Sequence, residues 1–503
     1  MLLLSGEGLT VERFIRALKD KEKVKLTDSA WRNIHNSYEA LRRVVDSGQI
    51  VYGVNTGVGE LARVILPLEQ SKEFQKKLVL SHSVSMGEPL AEEVVRGAMI
   101  LRLNAFARGY SGVNPDIVNL LLAFVNNNIT PLVREIGSLG ASGDLGLLAG
   151  IASNIIGEGE AYYNGRLMPA KYALTMAGLK PVELSLKDGL ALINGTSFTS
   201  SMGAIAIYNS FVQFRIESLL SAITVEVLGG SSAPFNHKIN ALRASKGQAL
   251  VARYIRNFIK DSALIDKPIS QRIQDPYSLR CIPQILGGIY DVLDFAEGVV
   301  TREMNTPSDN PLVLAGEDKV LSCGNFHAEA IALALDSASL ACAELGSISE
   351  RHINRLLDPN LSGLPAFLAK SGGINSGLML LHYTAWDALA ENKVLTHPAA
   401  TGTASVSAQQ EDHSSLGFLS ARKLTRILKN NWIILAAENV CALQSLDFRN
   451  PIYASSAARS FHAQARKRIQ VIDEDVLMYP ILDTSLDFLK QFSGAISLDN
   501  SNF

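Results

Sequence analysis

The chain has 503 residues, of which 47% are hydrophobic and 19% are charged, so we expect a globular protein with several domains or one large helical assembly. Lys and Arg total 47 against 49 Asp and Glu, and this net charge of −2 argues against nucleic acid or an anionic membrane as a partner. Four cysteines without C-x-x-C spacing predict reduced thiols and a cytoplasmic protein. The N-terminus lacks the basic stretch of a signal peptide.

Helix signals dominate the predicted elements in chain order. Thr27 is expected to cap a helix that ends near Gly48, and Pro115 to begin another. The long apolar stretch at about 200–228 carries Arg and Glu side chains, which predicts a buried core helix rather than a membrane span. The remaining helices are expected at about 67–82, 91–108, 145–156, 284–304, 327–357, 375–395, 412–444 and 453–472.

The one clear strand signal is a small hairpin with an Asn164-Gly165 turn. The pattern therefore predicts an all-α fold, a large helical-bundle subunit with a smaller N-terminal lobe. We place that lobe at residues 1–200 and the long-helix bundle, with the C-terminal helices, at residues 201–503.

Residues 137–146 hold four glycines and end where an apolar helix begins. In their centre, Ala141-Ser142-Gly143 can fold tightly enough for the Gly143 nitrogen to reach the Ala141 carbonyl carbon, because glycine has no obstructing Cβ. Ring closure with loss of two water molecules would leave a methylidene on Ser142, which is an electrophile. The alternative is a glycine-rich turn ahead of a helix N-terminus, able to hold an anion.

Other polar residues interrupt the helical background in loops, where binding residues tend to lie. Tyr52, in a glycine-rich loop, can act as a general base or acid, or be an ordinary half-buried tyrosine. His82 can contact a polar ring, or be a core histidine. Because the sequence has no H-x-x-x-H or Cys/His cluster, no metal site is predicted.

Residues 274–284 form a denser polar segment. The planar guanidinium of Arg280 suits a carboxylate. Tyr277 lies three residues from both Gln274 and Arg280, so the three share a face if the segment is helical. The alternative is a polar junction between helices. Glu411 is expected in the first turn of a helix, where an acidic residue is commonly structural.

Seven segments, in order and over nearly the whole chain, resemble the histidine and aromatic amino acid ammonia-lyase family, and within it the histidine enzymes most closely. These segments are residues 52–57, 80–82, 140–144, 192–196, 274–280, 324–327 and 410–413. The resemblance implies an all-helical subunit of the fumarase/aspartase-like ammonia-lyase fold. It also implies a homotetramer in which the active sites are shared between subunits.

The resemblance further implies a 4-methylideneimidazol-5-one (MIO) group made from Ala141-Ser142-Gly143, with no metal or nucleotide cofactor. Such enzymes eliminate ammonia from an α-amino acid, and for L-histidine the product is trans-urocanate. The β-proton is weakly acidic and the amine is a poor leaving group. Addition of the amine to the electrophile divides one difficult step into two easier ones.

Carried over by position, the family roles fall on eight further side chains. Tyr52 would act near the β-carbon as base or acid, and Arg280 would bind the substrate carboxylate. Asn194, Gln274 and Tyr277 would lie near the prosthetic group and the polar ends of the substrate. Phe326 would wall the pocket, and His82 and Glu411 would face the substrate ring. Whether Tyr52 or Glu411 takes the β-proton stays open.

Several departures from the family pattern keep other substrates open. They are Val58, the Val84-Ser85 pair, His382, residues 402–407, and residues 146–150, which lack the usual Pro and His. The alternatives are a same-fold lyase for tyrosine, phenylalanine or an N-methylated histidine such as ergothioneine, and a 2,3-aminomutase. A non-enzymatic scaffold is a third alternative, but it would not need Tyr52, Ser142 and Arg280 together.

Overall fold

A computed structural model describes residues 1–267 and 273–495, and it is predominantly helical. The fold is all-α with a few short strands, as the sequence predicts. The helices of eight or more residues are Val11–Lys19, Asp28–Asp46, Ser71–His82, Glu92–Ala107, Pro115–Asn127, Leu145–Ile155, Ser197–Val227, Lys246–Phe258, Ile282–Met304, Glu329–Leu357, Met379–Leu395, Gly417–Arg449, Ser456–Ala465 and Tyr479–Phe492. Shorter helices are Ala170–Met176, Asp188–Ile193, His237–Ala241, Tyr277–Arg280 and Pro359–Ser362.

The strands pair into small sheets. They are Leu2–Leu4 with Val24–Leu26 (parallel), Met86–Pro89 with Arg134–Ile136, Thr130–Pro131 with Glu160–Tyr163 and Arg166–Pro169, and Leu312–Leu314 with Lys319–Leu321. The predicted hairpin is present, and Asn164 and Gly165 both have positive φ (50° and 72°), as its tight turn requires.

Two compact units divide the chain, and each takes three separate segments. Unit 1 comprises Met1–Tyr208, Ala296–Asp336 and Pro398–Arg422. Unit 2 comprises Asn209–Phe295, Ser337–His397 and Lys423–Phe503. These units interleave along the sequence, whereas the predicted lobes 1–200 and 201–503 follow chain order, and that division stays a prediction.

Unit 1 contains all the strands given above and a core built around the helix Glu92–Ala107, in which every residue from position 94 to 107 is buried. A helix that is buried on every side in this way belongs in an interior, and its polar residues Arg96, Arg102 and Asn104 are buried with the apolar ones. Beside it, the helices Ser71–His82, Leu145–Ile155 and Asp188–Ile193 all pack against one another. Local signals set the helix starts, since Thr27 Oγ1 accepts from the Ala30 N–H at 3.1 Å.

The regular secondary-structure elements among the described residues of unit 2 are helices, joined by turns and loops. The predicted core helix at 200–228 is observed as Ser197–Val227, which contributes residues to both units. The helix Glu329–Leu357 is long and apolar enough to cross a membrane by length and composition, but 72% of its most apolar window is buried within the protein, as in the core helix of a globular protein.

Several predicted helix boundaries were wrong, and the helices expected from about 67 and 375 begin at Ser71 and Met379. The helix expected from residue 412 begins only at Gly417 and continues to Arg449, and the helix expected at 453–472 is the shorter Ser456–Ala465. Residues ahead of Gly417 instead form a loop in which Val406 and Glu411 make an isolated antiparallel bridge. Tertiary contacts therefore outweigh the local helical pattern in this segment.

Candidate active site

One cavity of unit 1, of about 750 Å³, is lined by seven of the predicted site residues. They are Tyr52, His82, Ala141, Ser142, Asn194, Phe326 and Glu411. These positions are spread over 360 residues of sequence, and the fold brings them to a single concave surface. Such a pocket, with a few convergent polar groups, is the usual form of a small-molecule site.

Three helix ends meet at this cavity. His82 is the last residue of Ser71–His82, Asn194 caps the end of Asp188–Ile193, and Ser142 lies just ahead of Leu145–Ile155. Because these three helices pack against one another, their ends are fixed relative to one another. The positive end of the Leu145–Ile155 dipole lies next to the tripeptide, where it favours developing negative charge.

The loop that carries the tripeptide is held by hydrogen bonds to its carbonyl groups. The Leu416 N–H donates to Leu139 O (2.8 Å), and the Ser415 hydroxyl donates to Gly140 O (3.1 Å). Asn194 Nδ2 donates to Ser142 O at 2.9 Å, while Asn194 Oδ1 is buried without a hydrogen-bond partner. The loop is thus rigidly placed, and an unpaired acceptor lies beside it.

Steric limits explain why glycines occupy two positions of this loop region. Gly143 has φ +75°, and a Cβ there would lie 2.2 Å from Gly195 O. Gly195 has φ +142°, and a Cβ there would lie 2.2 Å from Arg102 Nη1. The close approach of the two backbones, with the Asp144 N–H donating to Gly195 O at 2.7 Å, is possible only without side chains.

Asp144, the residue that follows the tripeptide, anchors it through hydrogen bonds of its carboxylate. Its carboxylate, which is fully buried, accepts from Ser138 Oγ (2.9 Å), Thr199 Oγ1 (2.7 Å) and the Thr199 N–H (2.8 Å). Thr199 lies in the first turn of Ser197–Val227, where a carboxylate satisfies free N–H groups. Burial raises the pKa of Asp144, and these hydrogen bonds oppose that rise.

Tyr52 is placed by contacts of its own loop. Its phenolic oxygen accepts from the Gly59 N–H at 2.9 Å. The buried Gln75 side chain donates to Gly53 O (2.8 Å) and accepts from the Leu190 N–H (3.2 Å). Burial raises the pKa of Tyr52, the Gly59 hydrogen bond lowers it, and the negative charge of Glu411 raises it further.

His82 and Glu411 are two of the polar side chains lining the cavity. His82 Nδ1 is 2.8 Å from Leu78 O, and because a carbonyl oxygen only accepts, Nδ1 carries the hydrogen and Nε2 is an acceptor in the neutral ring. The expectation that Glu411 lies in a first helical turn was wrong. It belongs to the loop ahead of Gly417, and there its side chain reaches the cavity.

A buried cluster of three charged side chains lies behind residues 194–196. The sequence analysis did not predict this cluster. Lys187 Nζ is 2.8 Å and Arg102 Nη2 is 3.6 Å from Asp309 Oδ2, and all three side chains are at most 1% exposed. Burial lowers the pKa of Lys187 and of Arg102, while Asp309 opposes this change. Arg102 packs on Gly195, so this cluster supports the backbone that holds Ser142.

Four predicted residues do not line this cavity: Gly143, which lies in the tripeptide loop of unit 1, and Gln274, Tyr277 and Arg280, which lie in unit 2. Gln274 and Arg280 line a cavity of about 540 Å³ within unit 2. Tyr277 begins the short helix Tyr277–Arg280 and is 69% exposed, and its ring centre is 4.6 Å from Arg280 Cζ. Tyr277 and Arg280 therefore do share a face, as the spacing predicts.

Two groups of side chains in the described ranges have the spacing of metal ligands. His327, Glu329 and His413 lie in unit 1, with His413 Nδ1 3.4 Å from His327 Nε2, and Glu217, His352 and Glu438 lie in unit 2. Each group includes two histidine or glutamate residues that are 86 positions apart (His327 and His413, His352 and Glu438), so no short motif covers either complete group.

The chain is similar to proteins of known class over nearly its full length. Residues 9–467 match the model of a family described as aromatic amino acid lyase. The histidine ammonia-lyase of Caldanaerobacter subterraneus subsp. tengcongensis is 40% identical over 98% of this chain and 97% of its own length. Among solved structures, histidine ammonia-lyase from Trypanosoma cruzi (TM-score 0.91, 36% identity) covers 98% of this chain and 94% of its own.

A tyrosine aminomutase from Streptomyces globisporus has the same fold, with a TM-score of 0.93 and 33% identity over 97% of each chain. The fold therefore does not separate a lyase from a mutase. The family match and the full-length relatives do identify the class of protein. This chain belongs to the aromatic amino acid lyase family and is a carbon–nitrogen lyase.

Proposed function

We propose that the protein eliminates ammonia from L-histidine to give trans-urocanate. The observation that carries the proposal is the cavity lined by Ser142, Asn194 and Tyr52 together with His82 and Glu411, two side chains that can accept hydrogen bonds. The full-length similarity to histidine ammonia-lyases supports the same substrate.

His82 and Glu411, which we propose face the substrate ring, support histidine over a hydrocarbon ring. Nε2 of His82 and the carboxylate of Glu411 both accept hydrogen bonds, and an imidazole N–H can donate to them. The phenyl ring of phenylalanine has no donor and would leave both acceptors unpaired, which a site built for hydrogen bonding rejects strongly. Phe326 adds an apolar wall.

The tripeptide fits the proposed MIO group. Gly143 occupies a position where a Cβ would collide with Gly195 O, and Ser142 O is already held by Asn194. When formed, the group supplies an electrophile for the substrate amine. Asn194, Asp144 and the Ser415–Leu416 contacts hold the loop in place, so that Ser142 faces the cavity.

We also propose that the protein acts in the cytoplasm as a homotetramer, and that each of its active sites is shared between subunits. Gln274, Tyr277 and Arg280 would join the cavity of a neighbouring subunit, with Arg280 binding the substrate carboxylate through a charge-assisted pair. This assignment is supported by the family resemblance and by the exposure of Tyr277, whose ring contacts the Arg280 guanidinium.

The first experiment measures the intact mass of the purified protein. We expect a mass lower than that of the encoded chain by two water molecules, and a Ser142→Ala protein with the full encoded mass and almost no turnover. Ser142→Ala is sufficient for this test, because it removes the hydroxyl and leaves the backbone of the loop unchanged. Substitutions of asparagine or glycine residues of the loop are therefore unnecessary. An unmodified wild-type mass, or near-normal turnover by Ser142→Ala, contradicts the proposed electrophile.

The second experiment identifies the substrate and the outcome of the reaction. L-Histidine is expected to yield urocanate absorbance together with an equal amount of free ammonia. If the protein does not convert L-histidine but does convert tyrosine, phenylalanine or ergothioneine, the proposal for L-histidine is wrong and the converted compound is the substrate. A β-amino acid product without free ammonia would identify a 2,3-aminomutase instead.

A further inference from the structure

Three fully buried titratable side chains of unit 2 have no part in the site described above. Glu217 comes from Ser197–Val227, His352 from Glu329–Leu357 and Glu438 from Gly417–Arg449. The relative exposure of each is 0%. Burial of ionisable groups is costly unless they are paired and hydrogen-bonded, so their arrangement requires a physical explanation.

The contacts of His352 define its protonation state. Nδ1 is 2.9 Å from Glu438 Oε1 and 3.3 Å from Glu217 Oε1, and Nε2 is 2.9 Å from Ser278 O. A carbonyl oxygen only accepts, so Nε2 carries a hydrogen. Nδ1 faces two carboxyl oxygens, and an ionised carboxyl there gives a second hydrogen on Nδ1 an acceptor. With both hydrogens His352 is an imidazolium that donates in both directions, the form that the raised pKa of the ring favours.

The directions in which the pKa values of His352 and Glu217 are shifted are consistent with a charged imidazolium beside one ionised carboxylate. Burial lowers the pKa of His352, but the charge of Glu438 and the hydrogen bonds to both glutamates raise it to about 10. Burial, and then the charge of Glu438, raise the pKa of Glu217 well above its usual range. One imidazolium, one carboxylate and one protonated carboxyl give a neutral cluster, the form that a dry interior favours.

Additional hydrogen bonds hold the two carboxyl groups. Ser349 Oγ donates to Glu438 Oε2 at 2.5 Å, and Ser221 Oγ donates to Glu217 Oε1 at 3.0 Å. Three helices thus converge on one imidazolium ring, which leaves the ring a single orientation. Its Nε2–H is aimed at one backbone carbonyl outside those helices.

That carbonyl belongs to Ser278, within the turn Tyr277–Arg280. A helix of four residues is not stable by itself and requires outside support. Tyr277 and Arg280 project from this turn and contact each other. Fixing the Ser278 carbonyl therefore fixes the backbone from which both side chains extend.

We propose that His352 is a positioning residue for substrate carboxylate binding. Held between Glu217 and Glu438, its ring anchors the Ser278 carbonyl and thereby the turn that presents Tyr277 and Arg280. This inference rests on the proposed function in one respect, the role of Arg280 towards the carboxylate. The anchoring of the turn itself does not depend on the identity of the substrate.

Two amide substitutions that differ by one methylene group separate the contacts on the two sides of the ring. In His352→Asn the short amide reaches the glutamates but not Ser278, whereas the longer amide of His352→Gln keeps a donor near the position of Nε2. We expect His352→Asn to raise KM for L-histidine about tenfold with kcat within about threefold, and His352→Gln to stay within about threefold of wild type in both. Amide hydrogen exchange of residues 277–281 is expected to quicken in His352→Asn only.

Asn439→Ala is the matched control, because Asn439 follows Glu438 in the same helix and donates a buried hydrogen bond to Ser485 Oγ at 2.9 Å. It is expected to lower the melting temperature without changing KM or exchange of the turn. If His352→Asn fails to assemble, Ser349→Ala is the alternative variant, because it removes only the hydroxyl that holds Glu438. We expect it to raise KM and to quicken amide exchange of residues 277–281 in the same direction, but by less.

Equal KM and equal exchange in His352→Asn and His352→Gln would overturn the proposal. So would a stoichiometric metal ion in the wild-type protein that is lost in His352→Asn, because the three side chains would then be metal ligands. A wild-type protein inert towards L-histidine would refute the proposed substrate, and the exchange measurement would still decide whether His352 holds the turn.

Discussion

Tyr52 and Glu411 both line the cavity and are the side chains to which we propose to assign exchange of the β-proton, and their interaction can be measured. Burial raises the pKa of Tyr52, and the negative charge of Glu411 raises it further, so the phenol keeps its proton at neutral pH in the free chain. A catalytic base at this position must therefore lose its proton against the charge of Glu411.

Glu411→Gln removes that charge, so we predict a lower Tyr52 pKa. The limb of the pH profile that reports Tyr52 in kcat/KM is expected to move to lower pH by about half to one unit. The measurement compares these profiles for wild type and Glu411→Gln. Asp412→Asn removes the same charge one residue away and should leave the limb in place. An unmoved limb in Glu411→Gln, or a shift to higher pH, would contradict the assignment.

The sequence pointed to side chains in loops that line one cavity, and it did not point to the residues that support them. Tyr52, Ser142 and Asn194 stand out because polar residues with glycines interrupt apolar helices. Gln75 and Asp144 do not stand out, because their partners lie far along the chain: Gln75 binds Leu190, 115 residues away, and Asp144 binds Thr199, 55 residues away. Only the tertiary fold shows that these ordinary polar residues are buried and paired.

The loops that hold the tripeptide depend on backbone contact between residues 143 and 195. At Gly195 a Cβ would meet Arg102 Nη1 at 2.2 Å and Ser308 O at 2.5 Å. Arg102 cannot easily move, because it is fully buried in the ion cluster with Asp309 and Lys187. The steric conflict therefore falls on the loop itself.

Gly195→Ala is predicted to lower the free energy of unfolding by roughly 2–4 kcal/mol and to prevent the loss of two waters, because the loop must shift. Chemical unfolding and intact mass measure both effects. Gly178→Ala is the matched control: Gly178 has φ +70° but nothing within 4 Å of an added Cβ. It is expected to cost about 1 kcal/mol and to leave the mass unchanged. Equal effects of the two substitutions would refute the steric argument.

Helix positions followed from sequence more closely than loop positions. Thr27, Pro115 and the Asn164-Gly165 turn act through neighbours in the chain, and all three lie where expected. The segment before Gly417 was misassigned because the bridge between Val406 and Glu411 and the contacts of Ser415 and Leu416 with residues 139–140 are long-range or irregular. Periodicity does not reveal such contacts.

If active sites are shared between subunits, two inactive variants can restore activity when they assemble together. This outcome is not possible if each subunit forms its site alone. Ser142→Ala and Arg280→Ala are each expected to be nearly inactive. If Ser142 and Arg280 of one active site come from different subunits, coexpression of the two variants in random tetramers restores about a quarter of the wild-type sites. Urocanate formation by the mixed protein measures this recovery.

No recovery would show that one subunit supplies both residues to a site, and the proposed sharing would be wrong. The control is a mixture in which both subunits carry Ser142→Ala, which should stay inactive under any arrangement. Size-exclusion chromatography with light scattering must first show that each variant forms the same assembly as wild type.

The family, the helical fold and the lyase class could be predicted for the whole chain because the seven motifs keep their order along it. The interleaved units could not be predicted. Unit 1 takes Ala296–Asp336 and Pro398–Arg422 from late in the sequence, and no change in composition marks these segments. Their membership follows only from contacts that arise on folding.

The bonds from Ser415 and Leu416 to residues 139 and 140 also have a consequence for synthesis on the ribosome. The tripeptide emerges early, but the contacts that fix its loop come from residues about 275 positions later. A nascent chain cannot complete this clamp until Leu416, of 503 residues, has left the exit tunnel. We propose that ring closure at Ser142 waits for this clamp, so that an unfinished polypeptide would carry an ordinary serine rather than a reactive group exposed to cellular thiols and amines.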